Sequence, residues 1–142
     1  MKLELARQII RGALAEGRKL NLAPLGVSVL DAGGNLVCFE REDRAGFMRF
    51  DITYAKARGS LGMGFSSREL AKRSQTNPAF FAALASVSGG RTAPSPGGVL
   101  IADASGDVIG AVGVSGDTGD NDELCSIAGI KAAGLTPVAD GQ

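Results

Sequence analysis

Histidine is absent from the 142 residues, and with it go the commonest general base and the commonest protein ligand of zinc and haem iron. Histidine-dependent catalytic triads and zinc-protease motifs are excluded outright. Tryptophan is absent too, and aromatic residues make up only 5% of the chain. Glycine occupies 21 positions instead, roughly twice its usual share, so tight turns and close backbone approach replace bulky ring packing. The two cysteines, Cys38 and Cys125, stand far apart without C-x-x-C spacing, the pattern of reduced thiols in a cytosolic protein. No apolar run approaches the roughly 18 residues that would read as a membrane span. The first residues carry Lys2, Glu4 and Arg7, whereas a secretory leader would follow its basic start with an apolar stretch. These absences predict a cytoplasmic chain with no targeting segment and no membrane partner.

Charge of either sign is also missing as a dominant feature, because fifteen Lys/Arg and fifteen Asp/Glu cancel to zero. A chain without a basic excess has no field for gripping nucleic acid. The charge is uneven, however: residues 1–75 carry thirteen bases against eight acids, and residues 76–142 carry two against seven. Complementary halves of this kind suit pairing within one chain or across a homo-oligomer interface.

What is present is enough for one core. The chain is 44% apolar, and its length corresponds to a single domain over 1–142. Leu3, Ala6, Ile9, Ile10, Ala13, Leu14 and Leu20 recur at helical spacing opposite Glu4, Arg7, Arg11, Glu16 and Arg18, which predicts an opening amphipathic helix. Two short β runs then flank a glycine-rich turn at 26–39, and a second such unit follows at 98–114. Gly26, Val27, Asp31, Ala32 and Gly34 recur as Gly98, Val99, Asp103, Ala104 and Gly106, through duplication or shared turn chemistry. Between them lie a helix at 51–59, a second opened by the Ser66/Glu69 capping pair and closed before Pro78, and a short apolar helical turn at 80–84. A loop over 86–98 follows. A last helix begins at the Asp120/Glu123 capping pattern and stops at Gly134 and Pro137. The expected fold is α+β in the order α-ββ-ααα-ββ-α, with a mostly antiparallel sheet of four to five strands built from two hairpins.

No residue pattern specifies a reaction. The glycine pairs match neither a phosphate-binding loop nor a dinucleotide fingerprint. The turn at 113–123 feeds a capped helix whose N–H groups suit an anion, and its acids equally suit simple capping. Asp117, Asp120, Asp122 and Glu123 lack the spacing of a calcium loop, so no metal is expected. Lys56 and Arg58 stand among alanines on the middle helix, where a lysine either anchors a carboxylate or, if desolvated, acts as a base. Arg91, alone in a glycine- and proline-rich loop, suits a carboxylate or phosphate clamp, and equally the ordinary role of a surface arginine.

Together, VSVLDAGGNLV at 27–37, YAKAR at 54–58, PGG at 96–98, IGAVGVSG at 109–116, NDE at 121–123 and Cys125 resemble the GlcG/HbpS-like family across nearly the whole chain. The resemblance implies an α+β homo-oligomer whose members include tetrapyrrole binders, proteins of catabolic gene clusters and proteins similar to small enzymes. Many members carry histidine in the first hairpin turn where this chain has Asn35, which weakens the expectation of haem and leaves Tyr54, a cysteine, a methionine, Lys56 or a threonine as iron ligands. The expected function is binding of a small anionic organic molecule tied to catabolism. The expected pocket lies between the middle helix, the 96–98 loop and the 113–123 turn, with Lys56, Arg91, Gly97, Gly98, Ser115, Gly116 and Glu123 at the ligand. The alternatives are acid/base catalysis on an organic acid by Lys56 or Glu123, and haem or corrinoid binding.

Overall fold

The computed structural model describes residues 1–139. Its elements run α1 (Leu3–Lys19), β1 (Gly26–Asp31), β2 (Leu36–Arg41), α2 (Arg49–Met63), α3 (Ser67–Thr76), α4 (Pro78–Val87), β3 (Gly98–Ala102), β4 (Val108–Ser115), α5 (Gly119–Ala132) and β5 (Thr136–Val138). The strands form one sheet in the order β2-β1-β4-β3-β5, with every described pairing antiparallel. Each hairpin keeps its own pair, and β1 and β4 join the two along the middle.

The two hairpin turns are built alike. Asp31 Oδ1 accepts hydrogen bonds from the Gly33 and Asn35 amides, and Asp103 Oδ1 accepts them from Ser105 and Asp107. Gly34 and Gly106 occupy the matching left-handed positions, at φ 82° and 91°, where a side chain would be strained. Both hairpins also carry an irregularity one step before the turn, at Val29/Leu30 and at Ile101/Ala102. The amide donors hold both carboxyls below their ordinary range, chiefly the Asn35 amide at Asp31 and, with a larger part from the Ser105 hydroxyl, at Asp103. Asn35 thus closes its own turn, with its side-chain amide on the Asp31 carboxylate.

Alternation along the central strands sends one set of side chains to each face. Val27, Val29, Val99, Ile101, Val112 and Val114 meet α1 and α5 through Ile9, Ile10, Ala13, Cys125 and Ile130. Leu30, Leu100 and Ala111 meet α2 through Ala57. On this second face the sheet offers very little side chain. A Cβ at Gly113 would strike the Thr53 carbonyl, and one at Gly98 would strike the Lys56 carbonyl, so α2 sits almost directly on the strand backbones.

Several boundaries differ from expectation. The middle helix runs on to Met63 and ends at Gly64 in the left-handed conformation, with Leu61 of its last turn packed against the core of the second face. The apolar turn at 80–84 is a full helix reaching Val87. The N-cap of α5 is Thr118, whose hydroxyl accepts from the Asn121 amide, two residues before the expected cap at Asp120. Leu3 and Leu20 stand exposed at the two ends of the first helix. The three-residue strand β5 was not foreseen, since Pro137 reads as a terminator. It pairs at the sheet edge beside β3, a place where proline is tolerated.

Candidate functional site

The close seat of α2 carries Lys56 into the interior. Its Nζ donates to the Val114 carbonyl at 2.9 Å and to Asp122 Oδ2 at 3.0 Å, and the two charged side chains are only 3% and 2% exposed. Asp122 Oδ1 in turn accepts the Asp117 amide at 3.0 Å. Burial pushes the Lys56 pKa down, against the opposing pull of Asp122. Gly97 and Gly98 close around this pair: a Cβ at Gly97 would lie 2.8 Å from Lys56 Nζ, the Ser126 hydroxyl donates to the Gly97 carbonyl at 2.6 Å, and the Gly98 amide donates to Ser67 Oγ at 2.7 Å. The structure therefore brings Lys56, Gly97 and Gly98 together, as a packed and fully bonded joint between α2, β3, β4 and α5.

The remaining expected residues lie outside that joint. Ser115 is buried and accepts a hydrogen bond from Arg49 at 2.8 Å. Gly116 packs against Pro24 and Leu25. Glu123 receives the Arg68 guanidinium at 3.0 Å, and Arg68 also holds Asp120, which ties α3 to α5. Asp117 accepts from Asn121, Ala23 and Thr118. The acids of this turn are thus committed to internal partners, and among the described residues no group of three metal-ligating side chains converges.

Arg91 is elsewhere, beside a cleft of about 240 Å³ between α2, the loop after α4 and the β1–β2 turn. Arg58 lines the same cleft, with Gly33 and Gly34 on one wall and Leu61, Met63 and Leu84 around it. Among the described residues neither guanidinium has a carboxylate partner, and no acid lines the cleft. The Arg91 guanidinium lies over the Tyr54 ring, 5.8 Å from its centroid, within the reach of a cation–π contact. The Tyr54 hydroxyl donates to the Gly34 carbonyl at 3.4 Å. A second cleft of about 470 Å³ shares Arg91 and is walled by Leu36, Phe50, Asp51, Tyr54 and Gly90.

Arg58, two residues beyond Lys56, stands at the first cleft and not in the joint. The signal lay in helical spacing: residues two apart point to opposite sides of a helix, and residues four apart share one. Lys56 turns into the joint for that reason, while Tyr54 and Arg58 share another side of the helix, Arg58 lining the first cleft and Tyr54 the second.

One antiparallel sheet with α1 and α5 on one face and α2 on the other, beside a cleft lined by two arginines, defines the class as a layered α+β domain. Across residues 1–131 the chain matches the family of haem degrading HbpS-like proteins, and it belongs to that family. Among solved structures it is similar to Klebsiella pneumoniae protein ORFY, with 27% identity over 94% of this chain and 90% of that one and a TM-score of 0.84. It is similar to a double mutant of Streptomyces reticuli HbpS, with 30% identity over 92% and 85% and a TM-score of 0.79. A PduOC–haem complex shares the fold at 24% identity over 97% and 98%, with a TM-score of 0.86. No curated protein sequence matches the chain.

The family implies haem, so the donors at the cleft bear on it. Two guanidiniums suit propionates. Iron needs more: histidine is absent, Cys125 is fully buried, and Cys38 packs against the same α1/α5 core on the far face of the sheet. Among the described residues, the donors left beside the clefts are the Tyr54 hydroxyl, already bonded to Gly34, the Met63 thioether, the Ser88 and Thr92 hydroxyls and the Asp51 carboxylate. The residues present fit a carboxylate, and to haem iron they offer no histidine or accessible thiolate but only Tyr54, Met63 and weaker oxygen donors.

Proposed function

We propose that this HbpS-like protein binds a small organic carboxylate in the cleft between Arg58 and Arg91. The observation that carries this reading is the pair of guanidiniums lining one cleft without a carboxylate partner among the described residues. A carboxylate there makes charge-assisted, bidentate hydrogen bonds. At about 240 Å³ the cleft lies below the roughly 300–1,000 Å³ of drug-sized ligand sites, so the ligand is small. Binding to a catabolic intermediate fits this chemistry. Catalysis by Lys56 does not follow from it, because its Nζ is turned into the joint with Asp122 and Val114.

The test is titration with succinate, read through Tyr54, the one tyrosine in a chain without tryptophan. Its emission should change saturably as Arg91 is drawn from the ring. Arg58→Ala and Arg91→Ala should each weaken binding about ten- to a hundredfold with little change in thermal unfolding. Succinate binding indifferent to both substitutions would refute the reading.

Haem is the second reading, favoured by the family match. Here it would rest on propionate pairing without a strong axial ligand. The protein further assembles as a homo-oligomer, for which the uneven charge and the apolar surface of α4 are the support. That helix has no buried residue and no charged one, and Val87 at its end is 84% exposed.

A further inference from the structure

The geometry points to an aromatic monocarboxylate as the ligand class, its carboxylate on Arg58 and Arg91 and its ring in the adjoining cleft against Leu36 and Tyr54. This rests on the carboxylate reading above and adds what the rest of the ligand must be.

The two clefts share Arg91 and both lie between α2 and the loop after α4, the first against the β1–β2 turn and the second against Leu36 at the start of β2, yet their chemistry differs. The first has two cations and no acid. The second has Asp51, which repels a second carboxylate, and otherwise presents Leu36 and the rings of Phe50 and Tyr54. Charge therefore orients the ligand, anion in the first cleft and uncharged body in the second. The apolar surface is already arranged for a ring. Phe39, Phe50 and Tyr54 form a continuous aromatic row, with centroids 5.1 and 5.7 Å apart, so Tyr54 is held from behind. Leu36 lines the same cleft and stands 42% exposed. A flat ring in this cleft contacts an aromatic face and an aliphatic side chain while Arg91, shared by both clefts, holds its carboxylate. A dicarboxylate too long to keep both charges on Arg58 and Arg91 would place one charge beside Asp51.

The experiment compares acetate, cyclohexylacetate and phenylacetate on the full chain by competition calorimetry, with Tyr54 emission as the reporter of location. Phenylacetate should bind about tenfold more tightly than cyclohexylacetate and alter the emission at saturation. Tyr54→Leu should remove that preference. Leu36→Ala, at an exposed position, should lower phenylacetate affinity severalfold, and Arg58→Ala should lower all three affinities alike. Equal affinities for the three acids, each dependent on Arg58, would overturn the aromatic class and leave carboxylate binding intact. A preference for phenylacetate that survives Tyr54→Leu would place the ring elsewhere and overturn it too. Absence of Arg58-dependent binding by any of the acids, succinate included, would overturn both readings.

Discussion

Lys56 and Asp122, separated by 66 positions in sequence, form an ion pair of 3.0 Å in which both side chains are almost wholly buried. The pair joins the helix on one face of the sheet to the helix on the other, through the gap left by Gly97 and Gly98. Each remaining polar atom around it has a partner: Val114 O takes the lysine, and the Asp117 amide takes the second carboxylate oxygen. Such a pair confers little net stability when intact, because desolvating two charges offsets their attraction, but it is costly to break.

Asp122→Ala should therefore destabilise the protein by about 3–5 kcal/mol, since it strands a buried ammonium. Adding Lys56→Met to that variant should recover most of the loss. Urea unfolding of the two single variants and the double variant measures the coupling, and additive effects would show that the pair does not act as a unit.

Cys38 and Cys125 should both remain thiols, and counting them in denaturant without reductant should return two. In the native protein Cys125 should resist thiol reagents, because burial pushes its pKa from 9.0 up to about 12 and only the thiolate reacts. The folded state therefore holds this proton more tightly than the unfolded chain. The resulting stability is complete below pH 9 and is lost as pH rises toward 12. Cys125→Ala should show a shallower alkaline decline in unfolding midpoint than the parent protein.

Haemin should give no sharp Soret change, or a weak spectrum unlike bis-histidine ligation that added imidazole readily alters. Arg41 and Arg44 near the end of the first hairpin remain available for nonspecific propionate pairing, whereas Arg49 is engaged by Ser115. A one-to-one, sub-micromolar, low-spin complex that survives imidazole would move tetrapyrrole binding to first place.

Light scattering at micromolar concentration and ordinary salt should return a homo-oligomer. Phe80→Glu and Val87→Glu, both on the exposed face of α4, should shift it toward monomer without unfolding the chain. A monomeric parent protein would refute the assembly.

The sequence alone determined most of the architecture, because local rules act over short distances. Helical spacing of Ala6, Ile9, Ile10 and Ala13 set the first helix. Asp31 and Asp103, each followed by a glycine three positions later, set two matching turns, and Ser66 set the start of α3 by accepting from the Glu69 amide. The absence of histidine already bore on how iron could be held. The edge strand β5 escaped, since a three-residue strand containing proline is defined only by the neighbour it pairs with. The site was decided by tertiary structure. Lys56 and Arg58 look equivalent in sequence, two cations among alanines, and their fates diverge because glycine at 98 and 113 lets α2 settle onto the sheet with Lys56 facing inward. The same seating turns Tyr54 and Arg58 outward to meet Arg91, 33 positions beyond Arg58, and no local pattern in either segment encodes that meeting.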